Sequence, residues 1–425
     1  MKFIFADNAD LVDPLYDFQK DRSPPDREPY WDDKYPHELL EKSPYNGILL
    51  SIAAFGSKIK SGSYSDSQMI RFKNIGARKF LRFEEEKYPD TQVWGDCGAF
   101  TYVNEEYPPY TVDEIVEYYA LGQFTHGCSL DHIIFEFYDT DLLLDFDDKE
   151  PKRRQELTLS NAAEFITKAK TRIGDQFIPV GVVHGWTPQT MSSAAKELVK
   201  MGYKYIALGG MVPLGAKQIK SALIAVRDSI PSDIKVHILG FAKPDNVYEF
   251  SNLKLDSIDT TSPLLRAFKD KNRNYFLKDD GEIKYYSALR IPQALENNAF
   301  KKLVRAGDIN FEDSVKLEKQ ALKEIRLFGD GDTNVKNVTD AILEYFSLML
   351  KDKSRNREIY INNELIKTSN NCIATLEARP WEKCDCKICK DIGVEVIIFR
   401  GNNRNRRRGF HNLYVYNKHL SEMVH

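Results

Sequence analysis

The chain alternates short runs of β-branched and aromatic residues with longer stretches whose apolar positions recur at helical spacing. The runs predict strands at Lys2–Ala6, Ile48–Ala53, Gln92–Trp94, His132–Phe137, Ile178–Val183, Lys204–Leu208, Lys235–Leu239 and Ser257–Asp259. Between them the pattern predicts helices at Val112–Phe124, Leu159–Arg172, Pro188–Met201, Ala216–Ser229 and Pro244–Phe250. Pro188 and Pro244 stand where a first helical turn tolerates proline. Several strands are continuous apolar runs, as a parallel sheet buried on both faces requires. Eight such runs alternating with helices over about 260 residues have the rhythm of a (β/α)8 TIM-type barrel, with a doubly wound open sheet as second choice.

The proline-rich stretch Ser23–Pro36 reads as an irregular arm. After Asp259 the alternation stops. Residues 265–380 read as a mostly helical insertion, with amphipathic stretches near Asp313–Leu327 and Val338–Leu350 around a turn at Phe328–Thr333. The expected organisation is a barrel over 1–264, the insertion over 265–380, and a C-terminal subdomain over 381–425.

Composition narrows the class. With 425 residues, 42% hydrophobic and 29% charged, the chain has an ordinary globular balance and is neither disordered nor fibrous. No apolar run approaches the roughly 20 residues of a membrane span, and the start MKFIFADNAD lacks the basic and apolar regions of a secretion signal. A cytoplasmic protein is expected. The net charge of −3 conceals an asymmetry: residues 101–150 hold 13 acids against one base, and residues 351–425 hold 15 bases against nine acids. One end is therefore expected to meet an anion.

The cysteines cluster rather than spread, which argues for a reduced, metal-binding set and against a disulfide framework. Cys384, Cys386 and Cys389, followed by His411, supply three thiolates and an imidazole. Such a set closes a tetrahedral shell around Zn2+, one structural ion per chain, and leaves no open position. His419 and His425 compete with His411 for the fourth place. Between Cys389 and His411, the stretch holding Arg400, Arg404, Arg406, Arg407 and Arg408 reads as an exposed basic loop suited to phosphate.

Two strand ends carry carboxylates, Asp96 in Gly95-Asp-Cys-Gly98 and Asp259 in Asp256-Ser-Ile-Asp259. At the C-terminal face of a barrel such a pair suits glycosidic-bond chemistry, one carboxylate attacking the sugar and one moving a proton. Taken singly, Asp96 could be a turn residue and Asp259 a helix cap. Leu208-Gly209-Gly210-Met211 lets backbone N–H groups approach a flat ligand.

Together these stretches resemble the tRNA-guanine transglycosylase superfamily of zinc-bearing (β/α)8 enzymes. Asp96-Cys-Gly-Ala-Phe100 resembles its D-S-G-G-F, Asp256-Ser-Ile-Asp259 its D-x-F-D, and Val183-His184-Gly185 its V-Q-G. Leu208–Met211 resembles I-G-G-L, His237-Ile-Leu-Gly240 resembles H-L-L-G, and the cysteines with His411 its metal motif. The resemblance implies that Asp259 is the nucleophile and Asp96 the general acid/base. It further implies that His184, Gly209, Gly210 and Met211 contact the base. The family's base-recognising aspartate is expected at Asp139, with Glu136 as the other candidate. His184 in place of glutamine, Cys97 and Ala99 in the first motif, and the long insertion resemble the DNA-modifying, DpdA-type branch. That branch implies exchange of guanine in DNA for 7-cyano-7-deazaguanine (preQ0), with DNA, preQ0 and other proteins of a DNA-modification system as partners. A tRNA enzyme and a non-catalytic zinc-containing nucleic-acid-binding subunit are the alternatives.

Overall fold

A computed structural model describes residues 1–56, 62–140, 148–241, 243–350 and 358–423. By its internal contacts the chain forms two units. One comprises Met1–Ala9, Tyr45–Ser262 and Leu420–His425, the other Asp10–Pro44 and Pro263–His419. The proline-rich arm thus groups with the C-terminal region, where the sequence reading drew three consecutive stretches.

The first unit is a closed barrel of eight parallel strands in sequential order. They are β1 (Lys2–Ala6), β2 (Gly47–Ser51), β3 (Gln92–Asp96), β4 (His126–Cys128), β5 (Ile178–Val183), β6 (Tyr205–Leu208), β7 (Lys235–Ile238) and β8 (Ser257–Asp259). β1 closes the ring on β8, pairing Phe3 with Ile258 and Ile4 with Asp259. Inward side chains from successive strands, among them Ile4, Leu49, Trp94, Cys128, Val182 and Tyr205, fill the interior. Trp94 stacks flat on His126 at 4.6 Å between ring centres, so the barrel is a packed core and not a pore.

The expected strand at His132–Phe137 is the one misplaced element. β4 lies upstream, has three residues, and pairs His126 with both Trp94 and Ile178. A strand so short, with Gly127 at its centre, leaves no period-2 signature. The apolar run after it instead packs as irregular chain, Ile133 and Ile134 at 3% and 2% exposure. The helix before β5 also begins earlier than expected, at Lys149. Its charged first turns are held by Glu150, which pairs with Arg153 and Arg154 at 2.7 Å each, the i,i+3 and i,i+4 spacing that supports a helix. The helix at Pro188–Met201 starts where Thr187 accepts from the Thr190 backbone N–H, an ordinary N-cap.

The second unit is largely helical, its longest helices being Phe311–Asp330, Val335–Met349, Glu358–Ala378 and Gly401–Glu422. It also holds an antiparallel hairpin, β9 (Tyr275–Asp279) with β10 (Glu282–Tyr286), and a short parallel pair, β11 (Leu289–Arg290) with β12 (Ile398–Phe399). The expected turn at Phe328–Thr333 begins inside a helix that ends at Gly331, in left-handed conformation. Among the described residues no helix is long and apolar enough to cross a membrane.

Candidate active site

Parallel strands in a closed barrel deliver the residues after their C-terminal ends to one mouth. Asp96 ends β3, Asp131 follows β4, His184 follows β5, Gly209 follows β6, Gly240 follows β7 and Asp259 ends β8. Asp259 is the most firmly held. Its Oδ1 accepts from His237 Nε2 at 3.0 Å and from the Gly240 backbone N–H at 2.8 Å. Behind it runs a buried chain: His237 Nδ1 lies 2.6 Å from Ser257 Oγ, which lies 2.7 Å from the Tyr205 hydroxyl. A donor at every link gives one consistent assignment, Tyr205 O–H to Ser257, Ser257 O–H to Nδ1, and Nε2–H to the carboxylate. Two donors thus fix one oxygen of Asp259. Asp256, at the other end of β8, accepts from Arg227 and the Val236 N–H at 2.8 and 2.9 Å and braces the barrel wall.

Asp96 accepts from the Gly98 N–H at 2.9 Å, the local turn bond that its sequence context allowed. Burial pushes its carboxyl up to about 6, Asp131 adding to the rise, hydrogen bonds from Gly98 and Ser51 opposing it, and Asp259 raising it further. Asp96 therefore feels the charge of both Asp131 and Asp259, as a shared pocket requires.

Asp131 is the residue that the sequence reading missed. It is 4% exposed, receives the Cys97 thiol at 2.9 Å on Oδ1, and contacts His184 Nε2 at 2.7 Å through Oδ2. Burial and then Asp131's charge push the Cys97 thiol well up, so it stays protonated and donates. Tyr102 closes the cluster, its hydroxyl reaching Cys97 Sγ at 3.2 Å and the Asp131 carbonyl at 3.1 Å. Gln155 fixes the His184 backbone, donating to its carbonyl at 2.7 Å. Asp139 and Glu136, expected at this place, are both exposed on the segment beyond it. The misplaced strand explains the difference: with β4 ending at Cys128, the first acid past the strand is Asp131, not Asp139. The acid three residues beyond a short His-Gly-Cys strand was the available signal.

Gly209 and Gly210 form the floor beside His184. A Cβ on Gly209 would fall 2.4 Å from His184 Cε1, and one on Gly210 would meet the Ile134 carbonyl oxygen at 2.2 Å. Gly210 also sits at φ +76°, so both close approach and backbone conformation demand glycine there. Met211 is buried at 2% exposure. Phe100, by contrast, is 55% exposed and lies 5.8 Å from the Phe135 ring, leaving an aromatic face available for stacking.

In the second unit, Cys384, Cys386, Cys389 and His411 are all buried, and their ligand atoms lie within 4.8 Å of one another. His411 Nδ1 is 3.5, 3.4 and 3.4 Å from the three sulfurs in turn. Tetrahedral bonds of zinc length would set such S···N separations at about 3.5 Å. His411 Nε2 donates to the Phe276 carbonyl at 2.7 Å, which turns Nδ1 toward the thiolates. The arrangement can hold a metal ion. His419 is not part of the cluster, and His425 lies outside the described residues.

The expected exposed arginine loop is not a loop. Arg400 immediately precedes the helix Gly401–Glu422, and the other four lie on it. Arg400, Arg404, Arg407 and Arg408 are 5%, 1%, 3% and 0% exposed. Arg400 pairs with Asp21 and Glu318 at 2.6 Å each. Arg404 pairs with Asp21 and, at 2.7 Å, with Glu395. Arg406 donates to the Leu11 carbonyl at 2.8 Å and Arg407 to the Asp13 carbonyl at 2.9 Å. Arg408 donates to the carbonyls of Ala267 and Val396 at 2.6 and 3.0 Å. These side chains are spent on internal carboxylates and carbonyls and cannot serve as a phosphate grip.

Residues 133–305 match the sequence family described as queuine tRNA-ribosyltransferase. A DNA-guanine transglycosylase of Salmonella montevideo is 37% identical over 426 residues, covering 98% of this chain and 96% of the relative. With a closed parallel barrel, carboxylates at its mouth and a buried cysteine–histidine cluster, the chain belongs to the tRNA-guanine transglycosylase superfamily, in its DNA-modifying branch.

Proposed function

We propose that the protein exchanges guanine in DNA for a 7-deazaguanine, preQ0, through a covalent intermediate on Asp259, and is a pentosyltransferase. The observation that carries this reading is the clamp on Asp259: two donors hold Oδ1, and the other oxygen remains to attack C1′. As the Asp259–C1′ bond forms, the C1′–N9 bond breaks, and guanine leaves as neutral base with a proton from Asp96. The incoming base then returns its N9 proton to Asp96, attacks C1′, and breaks the ester to Asp259. One glycosidic bond replaces another, so no ATP or redox partner enters. A carboxyl near 6 suits transfer in both directions at neutral pH. Asp131 and His184, with the N–H groups around Gly209 and Gly210, read the base edge, and Phe100 stacks on the extruded base.

Zinc is the ion we assign to Cys384, Cys386, Cys389 and His411, as a structural metal with no open position. Cys386→Ala should remove stoichiometric metal by elemental analysis and lower the stability of the C-terminal unit, because such a site contributes folding free energy directly. Retention of one metal per chain would show the ligands wrongly assigned. The six cysteines are unpaired, which suits a cytoplasmic setting.

The charge coupling gives a second expected outcome. Asp131→Asn removes a negative neighbour of Asp96, so the Asp96 pKa falls. The basic limb of kcat/KM for DNA against pH, set by loss of the Asp96 proton that guanine must receive, should move to lower pH even as the rate drops. An unmoved limb would show that Asp96 does not titrate in the rate-limiting step. The function itself is tested by incubating the protein with plasmid DNA, or with RNA, and preQ0, then measuring nucleosides by mass spectrometry. Deazaguanine deoxynucleoside in DNA supports the reading. Incorporation only into RNA, or none, overturns it.

A further inference from the structure

With the arginines buried, the phosphate-binding surface must lie elsewhere, and one cavity of the second unit has the chemistry for it. It measures about 340 Å3 and is bounded by Phe268, Phe346 and Phe399, one from each of three different elements. All three rings line the hollow and are half-buried, and the Phe399 ring also carries the Arg408 guanidinium 5.2 Å from its centre. Its rim carries Lys269, Lys271, Arg290 and Lys367, all exposed. Two acids also line it, Asp270 and Glu364, and Asp270 is engaged by the N–H groups of Asn272 and Arg273 at 2.9 and 3.0 Å. Among the described residues none of the four cations is in an ion pair. This contrasts with the arginines of the last helix, every one of which is partnered.

The walls are pinned in place. Asn371 donates to Asn272 at 3.1 Å, Ser287 to the Lys271 carbonyl at 2.9 Å, and the Ala288 N–H to Asn274 at 2.6 Å. The loop bearing Lys271 is thus pre-ordered by the helix Glu358–Ala378 and by Ser287 and Ala288, which link β10 to β11. Aromatic faces recessed beneath unpaired cations are complementary to a nucleotide, whose base stacks while its phosphates meet the charge. A purely apolar ligand would leave the cations unused, and an inorganic anion would leave the rings unused.

We propose that this cavity docks one unpaired nucleotide of the DNA strand, with its base against Phe268, Phe346 and Phe399 and its flanking phosphates on Lys269, Lys271, Arg290 and Lys367. The proposal rests on the reading of DNA as substrate. The test uses the full chain and a fluorescein-labelled single-stranded oligodeoxynucleotide containing bromodeoxyuridine. K269Q/K271Q/K367Q should weaken binding by at least about tenfold at low salt. It should also reduce the slope of log affinity against log salt by up to roughly 2, from about 0.7 per phosphate contact on a single strand. Ultraviolet cross-links should map to peptides containing Phe268, Phe346 or Phe399. K301Q/K302Q/R305Q, which removes equal charge from the helix Asn298–Arg305, should bind like the parent.

Equal loss in both triple variants, an unchanged slope, or cross-links confined to other peptides would overturn the docking site. So would displacement by a free deoxynucleotide as effective as displacement by the oligonucleotide, since the cavity would then be a small-molecule site. The parent protein's exchange of labelled guanine in plasmid DNA separates the two failures. If it exchanges and the lysine variant binds normally, the cavity assignment alone falls.

Discussion

Asp259→Asn is expected to abolish base exchange, by on the order of 10^4-fold or more, as losing a nucleophile does where no neighbour can replace it. The amide oxygen can still accept from His237 and Gly240, so the barrel should keep its thermal stability and its affinity for DNA. What disappears is the anionic oxygen that attacks C1′. Exchange of labelled guanine into plasmid DNA is the measurement, with circular dichroism to confirm the fold. A variant that turns over within tenfold of the parent would remove Asp259 from the chemistry and leave it a structural acceptor for His237 and Gly240.

The second large effect concerns stability, and it reverses what the sequence suggested. Arg404→Met should destabilise the second unit by about 3–5 kcal/mol, the range for removing one partner from a buried ionic network. Its guanidinium is enclosed by Glu395, Asp21 and the Phe18 carbonyl. Arg326 and Arg400 still reach Glu395 and Asp21, at 2.7 and 2.6 Å, so the carboxylates keep part of their compensation and the effect should lie toward the lower end. Urea unfolding followed by far-ultraviolet circular dichroism, with melting temperature alongside, gives the number. A change below about 0.5 kcal/mol would mean that Arg404 is solvated and free to meet phosphate after all. The salt dependence of DNA binding should be the same in the variant and the parent.

These two residues mark how far the sequence could be read. Asp259 was legible because a short apolar strand ending in a carboxylate has one meaning in a barrel: the side chain arrives at the C-terminal mouth. β1, β5 and β8 were legible for the same reason, as uninterrupted strands bounded by polar turns. β4 was not, since His126-Gly-Cys128 is too short to show a period, and the neighbouring run from His132 looked more like a strand than the strand did. The misplacement passed directly to the barrel mouth: the first acid past the strand is the buried Asp131, where Asp139 was expected.

The arginines failed for a different reason. A run of five cations reads as solvated because charge rarely leaves water without compensation. Here Glu395 and the Val396 carbonyl lie nearby in sequence. Much of the compensation, however, comes from Asp21, separated from Arg400 by 379 positions, and from the Leu11 and Asp13 carbonyls, 395 and 394 positions from Arg406 and Arg407. No local pattern encodes that. The Tyr205–Ser257–His237 chain behind Asp259 was invisible on the same ground, being assembled from three strands. The cysteine–histidine cluster was legible because its spacing is what a metal shell would require, and only the place of His411 rather than His419 in it needed the fold.

The most direct test of the account is to trap the intermediate. The parent protein should be incubated with guanine-containing DNA without an incoming base, quenched in denaturant, digested and sequenced by mass spectrometry. A deoxyribosyl adduct is expected on the peptide carrying Asp259, lost on adding preQ0 as the modified base enters DNA. An adduct on Asp96, or exchange with no adduct on any carboxylate under conditions of full turnover, would contradict it.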